Sequence, residues 1–293
     1  GLEPDKLSNA QKLTADCTPA SASVDLNINN IRARLQTGGD MWWDLNNDAK
    51  YEVPKSLEGE PENASSLFAG AIWIGGIDET GQLKVAAQTY RQTGNDFFPG
   101  PLDDLASIDA ATCKAWDKHY QVYGEEIDSI IALSEKYGTN IPFNLIPQNL
   151  IDWPGFGNPN NGLVGNRNLA PFQDVDANGY YDPTGGDYPI IDDAPICGKD
   201  KVTYADQMIW WVYNDKGNIH SETGATAIGM EVQALAFGFK TNDEVNDMTF
   251  YKYRLLNKAT SPIDSVFMGQ WIDPDLGCAF DDYIACDLET GMG

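Results

Sequence analysis

Residues 208–215 read MIWWVYND and residues 229–240 read GMEVQALAFGFK. Both are short runs of β-branched and aromatic residues, and NDKGN (214–218) supplies turn residues after the first. Such runs, bounded by Gly, Asn and Asp, predict strands rather than helices. The same grammar continues outward. MTFYKYRLLNK (248–258) and DSVFMGQWI (264–272) follow, separated by KTNDEVND and NKATSP. Upstream, VDLNI alternates Val24, Leu26 and Ile28, and LFAGAIWIGG (67–76) and LKVAAQTY (83–90) flank IDETGQ, a hairpin turn. Regularly spaced strands with turn signals between them predict an all-β sandwich.

Adjacent tryptophans occur twice, as Trp42–Trp43 and Trp210–Trp211. Neighbours on a strand point to opposite faces. One of each pair therefore enters the core, and the other is either covered by further structure or left exposed, where a sugar ring could stack on it. Between the strands lies a region of different period. Cys113, Trp116, Tyr120 and Tyr123 fall on one helical face within 109–123, and Ile127, Ile130, Ile131 and Ser134 follow the i, i+3, i+4, i+7 rule within 125–137, with Gly124 between. This predicts a helical hairpin inserted at about 104–137. Residues 138–207 are then dominated by Pro, Gly, Asn and Asp, as in DWPGFGNPNNGLVGN. A structureless stretch of that length needs something to order it. The expected layout is an extended N-terminal arm (1–23) and a β-sandwich-like domain (24–293).

The segment QDVDANGYYDPTGGDYP (173–189) offers the ordering agent. Asp174, Asp176 and Asn178 occupy alternate positions, Gly179 permits a sharp turn, and Asp182 and Asp187 follow without a Lys or Arg among them. Calcium takes six to eight oxygens, and alternate acidic side chains on a curling loop can converge on it, with the Tyr180 carbonyl adding one more. The EF-hand template places a carboxylate at its twelfth position; here that position is Gly185, so Asp187 is the expected completing ligand and Asp192 and Asp193 are alternatives. The expected cofactor is thus Ca2+, held structurally, with a dissociation constant on the order of 0.1–1 mM. A second acidic group, Asp273, Asp275, Asp281, Asp282 and Asp287, begins as D-x-D but fits no metal template, and Asp44, Asn46, Asp48 and Glu52 form a weaker third.

Charge excludes some partners. There are 19 Lys+Arg against 44 Asp+Glu, a net charge of −25, which repels nucleic acid and anionic lipid. No apolar run approaches the ~18 residues of a membrane span. Gly1 with no apolar leader reads as a mature chain freed of a signal peptide, or as an excised piece. The five cysteines (17, 113, 197, 278, 286) form no C-x-x-C pair and there are only two histidines, which argues against structural zinc. One or two disulfides in an oxidising compartment are expected: Cys278 with Cys286, and Cys113 with Cys197 or Cys17.

Catalytic motifs are absent. There is no G-x-S-x-G, P-loop or G-x-G-x-x-G. His119, read as a helix surface, and His220, read as a hairpin end, have no local catalytic partner. A glycosidase needs two carboxylates about 5–9.5 Å apart, and no pair is singled out among so many acids. The expectation is that the chain is not an enzyme.

NINNIRARLQTGGDMWWD, YEVPK, SLFAGAIWIGG, LKVAAQTYRQTGNDFFPGPLD, DVDANGYYDPTGGDYP and WIDPDLGCAFDDYIACD together resemble the N-terminal part of large secreted Bacteroidota surface proteins, cargo-like for type IX secretion. The resemblance runs from about residue 26 over nearly the whole chain. It implies export across the outer membrane, placement at the cell surface and a polypeptide that continues past Gly293, because no part looks like the sorting domain such cargo carries. It also implies O-glycosylation at Asp-Ser-apolar sites, matched at Ser129 and Ser265. The function expected is a calcium-stabilised structural or adhesive module of a cell-surface protein or filament. Its partners would be other domains, other surface proteins or further copies of itself. The alternatives are a glycan-binding module using an exposed Trp, and a region of a carbohydrate-active enzyme with a carboxylate pair.

Overall fold

A computed structural model describes residues 15–46, 48–57, 59, 61, 64–158, 169–192, 204–276 and 280–291. In chain order these form β1 (Ser23–Leu26), β2 (Arg32–Gln36), β3 (Tyr51–Glu52), β4 (Leu67–Asp78), β5 (Leu83–Ala86), β6 (Phe98–Pro99), helix α1 (Ala110–Trp116), β7 (Tyr120–Tyr123), α2 (Gly124–Tyr137), α3 (Gln148–Asp152), β8 (Phe172–Gln173), β9 (Tyr188–Pro189), β10 (Gln207–Asn214), β11 (Met230–Gly238), β12 (Phe250–Asn257) and β13 (Ile263–Pro274). The protein is mainly β and sandwich-like, as its strand pattern predicts.

Strand β10 is the spine. Antiparallel β11 and then β12 lie on one side of it, and β6 and β7 pair with its other edge. Every residue of β10 is buried, so it separates two cores. Ile209, Trp211 and Tyr213 point into one, where they meet Leu26, Leu35, Ile72 and Ile74 from the facing strands β1, β2 and β4. Met208, Trp210 and Val212 point into the other, beneath the inserted helical region, with Ile127, Ile130, Leu150 and Trp153. The Trp210–Trp211 pair is thus explained by a strand covered on both faces, each ring in a different core. The facing layer consists of β1-β2-β3 and β13-β4-β5, linked through single bridges Met41–Gly70 and Glu52–Ser65. Trp42 and Trp43 lie on a bent segment, with Trp42 at φ 73°, and both are buried.

The insertion is not a helical hairpin. Helix α1 ends at Trp116, and Tyr120–Tyr123 forms β7, which pairs with β10 from Tyr120–Trp210 to Tyr123–Gln207. YQVY satisfies two periods at once. Its Tyr and Val positions alternate, Tyr120 and Val122 go inward, and the hydrogen-bonding edge of β10 decides between them. Gly124 marks the switch from strand to helix. A Cβ there would lie 3.1 Å from the Ala205 carbonyl oxygen and 3.2 Å from the Asp206 Cα, so the close approach of the two backbones depends on glycine. The Glu126 carboxylate then accepts the Tyr123 N–H at 2.9 Å, satisfying a donor at the start of α2.

In its described residues the long loop is built rather than structureless. It contains α3, and Trp153 and Tyr181 are fully buried within it. Trp153 Nε1 donates to the Pro171 carbonyl at 3.1 Å and Tyr181 Oη donates to the Leu150 carbonyl at 2.6 Å. Large aromatic anchors with satisfied polar ends hold much of this segment. The arm is also fastened. Cys17 and Cys113 form a disulfide, one of the pairings left open by the sequence, and the Ser21 N–H donates to Asp117 at 3.0 Å. Cys197 and Cys278 lie outside the described residues, whereas Cys286 is described and is an exposed free thiol, so the expected Cys278–Cys286 bridge is not formed. Among the described residues no helix is long and apolar enough to cross a membrane.

Candidate metal centre

The two-residue ribbon β8–β9 pairs Phe172 with Pro189 and Gln173 with Tyr188, and so brings the two ends of the acidic loop together. Below it, Tyr181 packs edge-on against Phe172 with ring centroids 5.3 Å apart, and its N–H donates to the Phe156 carbonyl at 2.7 Å. Two residues of the curl lie in the left-handed region, Ala177 at φ 60° and Gly179 at φ 84°. The second accounts for the glycine that the sequence places after Asn178.

This curl turns three carboxylates toward one point. Asp174, Asp176 and Asp187 each offer an oxygen, and the three lie within 4.8 Å of one another. Oxygens bound to a single calcium ion at about 2.3–2.6 Å can be no farther apart than roughly twice that distance, so the spacing fits. Asp187 is fully buried; its carboxylate accepts the Val175 N–H at 2.7 Å and the Asp182 N–H at 2.9 Å. Burial pushes this carboxyl up to about 6, against the lowering effect of the two amides, and the charges of Asp174 and Asp182 add to the rise. Keeping Asp187 ionised at neutral pH therefore costs free energy, and a bound cation would offset that cost. Asp174 accepts the Asn178 N–H at 3.2 Å and the Gly179 N–H at 2.8 Å, while Asp176 accepts the Asn178 N–H at 3.1 Å.

Asn178, Tyr180 and Asp182 are placed differently. The Asn178 carbonyl oxygen accepts the Tyr180 N–H at 2.7 Å, and its amide nitrogen donates to Asp176 and Asp182, both at 2.9 Å. Asn178 thus joins the carboxylates as a donor rather than presenting its oxygen to their centre. Asp182 accepts the Thr184 hydroxyl at 3.0 Å and the Gly185 N–H. The Tyr180 ring stacks on Phe156 with centroids 5.5 Å apart. Asp192 points away to Lys252, 2.9 Å distant, and Asp193 lies outside the described residues.

Among the described residues, this is the one place where three or more metal-ligating side chains converge. The second acidic group is dispersed. Asp273 accepts the Tyr90 hydroxyl at 2.5 Å, Asp282 accepts the Leu276 N–H at 2.9 Å, and Asp287 turns to the Glu289 N–H at 2.9 Å. Asp275 stays near them electrostatically; loss of hydration, then the charges of Asp282 and Asp273, push it up. Asp281 is exposed. In the third group Asp44 caps its own turn through the Asn46 and Asp48 N–H groups at 2.7 and 3.1 Å, whereas Glu52 is buried and accepts from Ser56.

Trp42, Trp43, Trp210 and Trp211 are all buried, so none of them offers a stacking surface. The exposed tryptophan is Trp73 on β4, at 37% exposure. It stacks on Trp271 with centroids 5.7 Å apart, and Tyr90 packs edge-on against Trp271. Gly269, the cross-strand partner of Trp73, has open space where a Cβ would be. His119 is not on a helix surface: it precedes β7, its Nε2 is enclosed, and its ring lies 5.6 Å from that of Trp211. His220 is buried, with Nδ1 2.7 Å from the Val85 carbonyl and Nε2 2.7 Å from the Asp215 carbonyl. Ser129 is exposed on α2, and Ser265 is exposed at an irregularity of β13 where φ is 50°. No family model, curated protein or solved structure matches this chain.

Proposed function

We propose that this chain is a calcium-stabilised structural or adhesive module of a secreted bacterial cell-surface protein, without catalysis of its own. The convergence of Asp174, Asp176 and Asp187 around one point carries the reading. Binding is assigned to those three carboxylates, with Asp182, Asn178 and the Tyr180 carbonyl contributing through rearrangement of the Asn178 side chain or through water. Calcium suits a site of carboxylates and carbonyls on a flexible curl better than magnesium, which keeps more of its water. The exported, cell-surface setting rests on the resemblance to Bacteroidota secretion cargo, and the disulfide suits an oxidising compartment. A partner surface is suggested by the exposed apolar residues Phe267 and Met268 on β13 and Phe280, Tyr283 and Leu288 beyond it.

Calorimetric titration of the chelator-treated protein with CaCl2 tests the site. One binding event with a dissociation constant on the order of 0.1–1 mM is expected, and Asp176→Asn is expected to weaken it about tenfold or more. Absence of binding up to saturating calcium, or a variant that binds as wild type does, would end this reading.

The glycan-binding alternative moves to the Trp73–Trp271 platform, because that is where an aromatic face is exposed. A glycan array probed with wild type and Trp73→Ala is expected, under this alternative, to show binding that the variant loses. A silent array removes it.

A further inference from the structure

On the face of β10, β11 and β12 turned toward the insertion lies a second feature, far from the acidic curl in its chemistry. It is a half-open hollow of about 170 Å3, lined by the apolar side chains of Trp210, Leu235 and Ile191 and by the polar ones of Gln233, Lys252 and Arg254. The strand register determines its rim. Leu235 is the cross-strand partner of both Trp210 and Lys252, and Gln233 is the partner of Arg254. Directly opposed residues share a face, so Lys252 and Arg254 stand side by side along one edge of the floor. Lys252 is held in place, donating to the Ile191 carbonyl at 3.0 Å and pairing with Asp192 at 2.9 Å. Gln233 is fixed from behind, donating to Glu231 at 2.7 Å, and Glu231 in turn accepts the Leu102 N–H at 2.8 Å. Arg254 is exposed. With Lys252 paired to Asp192, Arg254 is the cation that the rim presents outward, in a chain with 19 basic residues against 44 acidic ones.

The dimensions and charge select a ligand class. An enclosed apolar cavity of about 150 Å3 holds one benzene ring, so a hollow of this volume has room for a single six-membered ring. A planar guanidinium at the rim matches a carboxylate through two parallel N–H···O bonds. We propose that this cavity binds a small organic acid built on a single six-membered ring, with the ring on Trp210 and Leu235 and the carboxylate on Arg254. An aromatic acid and a uronic acid share this chemistry, and an experiment can separate them.

The full chain would be titrated with benzoate, glucuronate, and the neutral analogues benzyl alcohol and glucose, followed by saturation-transfer NMR and calorimetry. At least one acid is expected to bind, with its neutral analogue about tenfold weaker or worse. Benzoate alone would assign an aromatic ligand, and glucuronate alone a sugar acid. Arg254→Gln, at an exposed position where the fold should persist (checked by an unchanged melting midpoint), is expected to weaken the acid about tenfold; Arg254→Lys, which keeps the charge but not the fork, is expected to fall between. Failure of both acids to bind at about 10 mM, or an Arg254→Gln variant that binds like wild type, would overturn the assignment.

Discussion

Asp187 and Asp176 do different work in one loop. Asp187 is enclosed and fastens the curl through two backbone amides, so replacing it disturbs the loop with or without metal. Asp176 is exposed, which makes it the position where charge can be removed with little effect on the metal-free fold. The spacing of Asp174, Asp176 and Asp187 was legible because alternate carboxylates followed by glycine imply a curl. The orientation of Asn178 was not, since it depends on the Tyr180 N–H, a contact no spacing rule anticipates. His119 differs from its sequence expectation for a related reason: the helical period that includes Tyr120 extends over it, whereas the chain there enters β7. Its enclosure lowers its basicity to about 3, only partly countered by the charge of Asp117. Because the folded value lies below the unfolded one, the contribution is present above about pH 6.5 and is lost as pH falls below it. Unfolding free energy of wild type relative to His119→Gln is therefore expected to decline below pH 6.5, by up to about 1.4 kcal/mol per pH unit. Parallel pH profiles for the two proteins would contradict this account of His119.

Strands were easier to read than the elements between them. β10, β11, β12 and β13 follow from β-branched and aromatic runs bounded by turn residues, and each appears within a residue or two of its expected place. β7 was hidden because four residues are too few to distinguish a strand from the end of a helix, and an available edge on β10 settles the matter. In the sequence of 138–207 the Gly, Pro and Asn content hides Leu150, Trp153 and Tyr181, which form a packed anchor, so a bound ion is the only ordering agent the sequence suggests there. The disulfide could be limited to alternatives but not chosen, because pairing depends on where α1 meets the arm. It closes a loop of 96 residues in sequence separation. In the chain-entropy account a loop of that size is worth about 4–5 kcal/mol, and removal of a native bridge costs about 2–5 kcal/mol in practice. Denaturant unfolding of Cys17→Ser/Cys113→Ser is expected to show a loss in that range. A midpoint equal to wild type would mean that the arm adds nothing to the fold.

The whole molecule joins a two-layer β body to an insertion that covers the second face of its central strand. Its net charge of −25 sets a standing repulsion that a divalent cation, under the proposed function, would relieve locally. The aromatic anchors hold the insertion from below, while the acidic curl lies above them with a buried carboxylate at its base. Cation binding should therefore stabilise the folded chain by mass action without being required for folding. Thermal unfolding of the same preparation in excess chelator and in about 10 mM calcium tests this directly. For a dissociation constant on the order of 0.1–1 mM the gain is about 1.4–2.7 kcal/mol, and for a chain of 293 residues the melting midpoint should rise by roughly 2–5 °C. Superimposable melting curves under the two conditions would contradict the assignment of Asp174, Asp176 and Asp187 as a calcium site.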